Sequence, residues 1–63
     1  MSKEEEKKTI QEGYRMYRKS CNRDTALCLA FIKQLNEYGK LEYLAEMEDL
    51  TTIERLYIQE LIP

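Results

Sequence analysis

The stretch NRDTALCLAFIKQLNEYG, residues 22–39, decides the fold. Asn22-Arg23-Asp24-Thr25 interrupts the preceding periodicity and supplies strong N-cap side chains. Ala26 to Tyr38 then holds no helix breaker, and Gly39 is placed to close the helix in a left-handed conformation. On a helical wheel Leu27, Tyr38, Phe31, Leu35, Cys28, Ile32 and Leu29 cover more than a third of the circumference, wider than the ~100° stripe of a surface helix. This segment is therefore predicted to be the central helix of an all-α bundle.

The flanks agree with that choice. Only Gly13, Gly39 and the terminal Pro63 could interrupt regular structure. Upstream, Ile10, Gly13, Tyr14, Tyr17 and Cys21 recur at helical spacing. Gln11, Arg15, Arg18 and Lys19 are placed opposite or beside them, which predicts an amphipathic helix over roughly 3–20. Glu4 and Glu5 precede Lys8 at pairing distances along its first turns. Downstream, Lys40 to Leu50 reads as a third helix, with Leu41, Leu44 and Ala45 inward and Glu42, Glu46 and Asp49 aligned on another face. Thr51-Thr52-Ile53-Glu54 matches a capping box and opens a fourth helix to about Leu61, bearing Ile53, Leu56, Tyr57, Ile58 and Leu61. The expectation is one small domain, 1–63, of three to four short helices, with a charged N-terminal run, 1–8, that frays at its start.

Length sets the energetics. In 63 residues Leu, Ile and Phe together reach about 22%, just above the ~20% below which a highly charged chain stays disordered. A core of this size contributes no more than ~3–5 kcal/mol net. Leu29 and Ile32 on helix 2, Tyr43, Met47 and Leu50 on the far side of helix 3, and Ile58 near the end exceed what one small core can take. They are the candidate self-association residues, and a homodimer through helix 2 with helix 3 or 4 is the expected cover.

Chemistry is constrained by what is missing. The chain has no His, no glycine-rich phosphate loop, and no activating dyad for Cys21 or Cys28, so no catalytic residue is assigned and no enzyme is expected. Neither a metal nor another cofactor is expected. The two cysteines lack zinc-knuckle spacing and read as free thiols, and the Glu42/Glu46/Asp49 row falls short of a calcium ligand set. No signal-like or membrane-spanning apolar run occurs, so a cytoplasmic location is expected. Lys, Ile, Tyr, Asn, Phe and Met outnumber Gly, Ala, Arg and Pro about two to one, the bias of AT-rich codons in a low-GC bacterium or phage.

Charge supplies two candidate faces. The net charge is −2, yet residues 1–33 carry eight basic and five acidic groups, and residues 34–63 two basic and seven acidic. Lys7, Lys8, Arg15, Arg18, Lys19 and Arg23 form a candidate nucleic-acid face on and just beyond helix 1. Glu42, Glu46, Glu48 and Asp49 form a candidate acidic face for a basic protein partner. A helix-turn-helix using helix 4 is disfavoured, because Glu54 and Glu60 would face phosphates. The leading expectation is a non-enzymatic interaction module of adaptor, inhibitor or regulator kind that presents a charged helical surface to a macromolecular partner. The competing one is a small dimeric nucleic-acid-binding regulator using the basic side of helix 1.

Overall fold

The computed structural model describes residues 2–63, and those residues form four helices and no strand: α1 Lys3–Ser20, α2 Thr25–Glu37, α3 Leu41–Ala45 and α4 Thr52–Leu61. Each boundary is set by local chemistry. Ser2 accepts from the Glu5 amide at the start of α1, and the charged run is helical from Lys3 onward; Met1 lies outside the described residues. Glu4, Glu5 and Glu6 in the first turn, with Arg18 and Lys19 in the last, suit the helix dipole.

Both turns around α2 use left-handed residues. Arg23 N–H donates to the Arg18 carbonyl at 2.8 Å and Asn22 N–H to Lys19 at 3.3 Å, the paired bonds of a Schellman close with Asn22 at φ 57°. Arg23 shares that φ of 57°, a conformation costly for a residue with a Cβ. Asp24 then caps α2 by accepting from Leu27 N–H at 3.0 Å. The same motif ends α2: Lys40 N–H reaches the Leu35 carbonyl and Gly39 N–H the Asn36 carbonyl, with Gly39 at φ 74°. The predicted capping box of α4 is present, Thr51 Oγ1 accepting from Glu54 N–H and Glu54 Oε1 from Thr51 N–H.

The third helix departs from expectation, for it stops at Ala45 instead of running to Leu50. Continued, it would have stacked Glu42, Glu46 and Asp49 as like charges one and two turns apart. Its unwinding frees backbone carbonyls that arginines then take: Arg55 donates to the Met47 carbonyl and Arg18 to that of Asp49, both at 3.2 Å. The same change swings Met47 into the interior.

The core is Tyr14, Cys28, Ile32, Leu41, Leu44, Met47 and Ile58, with Phe31, Leu35 and Leu61 among the half-buried residues packed on it. Tyr14 and Tyr17 of α1 both meet Phe31 of α2, ring centroids 5.1 and 4.9 Å apart. α1 and α4 each pack on α2 and α3 but not backbone to backbone on one another.

The glycines give a paired test. No heavy atom lies within 4 Å of where a Cβ would stand at Gly13, and Gly13 is helical, so Gly13→Ala stabilises by about 1 kcal/mol. Gly39→Ala costs about 1 kcal/mol, because alanine resists the left-handed φ. Thermal unfolding reads the difference as melting shifts of opposite sign, roughly 4–8 °C per kcal/mol for a domain of this size.

Candidate interaction surfaces

α1 turns a second, polar stripe inward beside its apolar one. Lys7, Gln11, Tyr14 and Arg18 recur at helical spacing and face α3 and the segment after it. Lys7 pairs with Glu46 at 3.4 Å, Gln11 donates to the Tyr43 carbonyl at 2.8 Å, and Arg15 pairs with Asp49 at 3.4 Å. Of the stripe's charged members Arg18 goes deepest, at 3% exposure. Its guanidinium donates to Asp49 Oδ2 at 2.9 Å and Glu54 Oε1 at 3.1 Å, and it lies 5.1 Å from the centroid of the Tyr14 ring.

Glu54, at 4% exposure, is the acceptor on which α1 and α4 converge. The Tyr14 hydroxyl donates to its Oε2, while Arg18 and the Thr51 N–H both donate to its Oε1. Burial works against the Glu54 carboxylate, but the Tyr14 and Thr51 hydrogen bonds and the Arg18 charge outweigh it and hold its pKa below the ordinary range. For Asp49, burial is likewise overcome by Arg15, a backbone N–H and Arg18, and its pKa is lowered. Burial disfavours the Arg18 cation, yet Glu54 and Asp49 more than compensate and its pKa rises. Burial, reinforced by Glu54, keeps the Tyr14 phenol protonated far above its usual range.

The two predicted charged faces therefore meet each other. Of the basic set, Lys7, Arg15 and Arg18 are paired with carboxylates, and buried Arg18 is a correction to its assignment as a phosphate contact. Lys8, Lys19 and Arg23 stay exposed with no ion pair among the described residues. Of the acidic set, Glu46 and Asp49 are partners of α1, and Glu42 and Glu48 remain exposed. A further ion pair, Lys40 with Glu6, joins the α2–α3 turn to the start of α1 and raises the Lys40 pKa.

The candidate self-association residues divide in a similar way. Ile32, Met47 and Ile58 lie in the core, which corrects their placement on an open face; Leu29, Tyr43 and Leu50 are half-buried. The large apolar side chains that do face outward are Met16, Leu27, Tyr38, Ile53 and Leu56. Helical spacing offered a partial signal, since Ile53 and Leu56 sit a turn apart and away from Ile58.

A small cleft of about 50 Å³ lies where the end of α1 meets the starts of α2 and α4, lined by Arg18, Arg23, Thr25, Cys28, Thr51 and Glu54 among others. Of its ionic groups, Arg18 and Glu54 are paired with one another, while Arg23 is exposed. Burial, together with the neighbouring Cys21 thiol, pushes the Cys28 pKa up, which disfavours the thiolate. Both cysteines are free thiols, and the described residues hold no cluster of three or more metal-ligating side chains. Among the described residues no helix is long and apolar enough to cross a membrane.

Breaking the buried network has a defined cost. Arg18→Met leaves Glu54 facing only neutral donors in the interior and is expected to destabilise by ~3–5 kcal/mol, enough to unfold a domain of this size. Arg18→Met/Glu54→Leu removes both charges and recovers much of that loss in urea melts. The pH profile follows from the same groups. The lowered Glu54 and Asp49 pKa values mean the unfolded chain binds protons first, so stability falls as pH drops through about 4 and below. The raised Tyr14 pKa means the unfolded phenol ionises first, so stability falls again as pH rises past about 10. A flat profile across either limit counts against the network.

Comparison with known proteins finds no family model, no curated protein and no solved structure that matches this chain.

Proposed function

We propose that the chain is a non-enzymatic protein-interaction module of the adaptor, inhibitor or regulator kind, which self-associates and presents an apolar helical surface to a protein partner. The observation that carries this reading is the exposure of Ile53 and Leu56, one turn apart on α4, in a chain where Lys7, Arg15 and Arg18 of the basic face are paired with Glu46, Asp49 and Glu54. Exposed apolar neighbours of this kind mark interaction surfaces, and the core needs neither residue. The acidic row is a weaker candidate, because Glu46 and Asp49 would have to leave Lys7, Arg15 and Arg18 to meet a basic partner. The nucleic-acid alternative keeps only Lys8, Lys19 and Arg23 of its six cations unpaired, and its salt dependence shrinks to about three phosphates.

Site-specific photo-crosslinking separates the readings. A crosslinker at Leu56 is expected to capture a protein, and the adduct is expected to vanish in Ile53→Glu while helicity stays unchanged, since residue 53 is exposed. Adducts to nucleic acid from position 8 or 19, with none to protein from position 56, would replace this reading by the alternative.

A further inference from the structure

In a chain of which 35% is charged, the stripes of α1 and α2 that meet at Tyr17 and Phe31 carry the uncharged Gly13, Leu27 and Tyr38, with the Glu6–Lys40 ion pair bounding them at one end. Tyr17 of α1 packs on Phe31 of α2 with ring centroids 4.9 Å apart. Leu27 and Tyr38 share the stripe of Phe31 at spacings of four and seven, and Gly13 precedes Tyr17 by one turn. Met16 borders them at 72% exposure, and Tyr38 is nearly as open. Gly13 costs α1 helix propensity, and nothing within 4 Å calls for the missing side chain. Tyr, Phe and Met around an open backbone position are what a closely packed protein contact is made of.

Charge at the border selects the occupant. Glu12 and Lys19 stand on the outer side of α1, two turns apart, four residues before and three after Met16. Both are exposed, and neither has an ion-pair partner among the described residues. A two-fold contact sets a surface against itself, so like charges collide unless the centre is neutral and the rim carries opposite signs on either side of the axis. This face meets both conditions.

We infer that a second copy of the chain docks here, its α1 antiparallel to the first with Met16 at the two-fold axis and each Glu12 opposite the Lys19 of the other copy. This rests on the self-association proposed above and locates it on α1 and α2, apart from the α4 surface of Ile53 and Leu56.

Sedimentation equilibrium from micromolar to millimolar concentration tests it on the wild type, Met16→Glu, Glu12→Lys, Lys19→Glu and the Glu12→Lys/Lys19→Glu double variant. All three positions are exposed, so circular dichroism should report the same helicity throughout. The wild type is expected to approach twice 7.6 kDa and Met16→Glu to stay near 7.6 kDa. Each single reversal weakens the dimer roughly five- to tenfold, and the double variant returns to within about twofold of the wild type. A monomeric wild type overturns self-association altogether. A dimer indifferent to Met16→Glu leaves self-association standing and removes this face, and a double variant no better than the singles overturns the antiparallel register.

Discussion

The ion pair of Arg18 with Glu54 is the constraint on which the rest of the arrangement depends. Both groups are almost fully withdrawn from water, and isolated charges there would cost more than the whole stability of a domain this small. The cost is offset because Glu54 accepts from Tyr14, Arg18 and the Thr51 backbone together, while Arg18 also engages Asp49 through side chain and carbonyl. Those bonds tie together two helices, α1 and α4, whose backbones do not pack on one another. They also account for the early end of α3, since the Asp49 carbonyl and carboxylate can turn toward Arg18 only once the chain has left the helix.

What the sequence made legible was what short-range chemistry controls. Asp24, Gly39 and the Thr51/Glu54 capping box each act within a few residues, so their spacing alone locates the ends of α2 and the start of α4. The span of α1 follows in the same way from an uninterrupted period. Arg18 was not legible. Its position one turn after Tyr14 places it on the inward side, but whether a cation there is buried or bends out to water depends on a carboxylate 36 residues away. Glu54 hid for a related reason: the capping-box reading explains why a glutamate is needed there, and so conceals its second role as the buried counter-ion.

The same division runs through the apolar residues. The periodicity places Met47 on the outside of a long α3, and it is core because α3 is short; Ile58 is core because α4 turns it and Glu54, one turn apart, to the same interior. A wheel drawn for each helix gives the relative angle of its side chains but not which neighbour they face. Met16, Leu56 and Tyr38 are left outside because the interior is already filled by Tyr14, Ile32, Leu41 and Leu44.

Internal pairing of charge has a functional corollary. The Lys7–Glu46 and Arg15–Asp49 pairs cancel part of the field with which this surface would attract a charged ligand, and both pairs are half-exposed and screened by salt. On the interaction reading proposed above, recognition falls to shape and apolar area, which act only after encounter. Association by such surfaces runs near the ~10⁵–10⁶ M⁻¹s⁻¹ of unsteered proteins, and its selectivity resides in the lifetime of the complex. The small rigid helical frame suits that mode, because exposed side chains such as Ile53 and Leu56 stand on a capped helix held by a buried ion pair and lose little further freedom when they are covered.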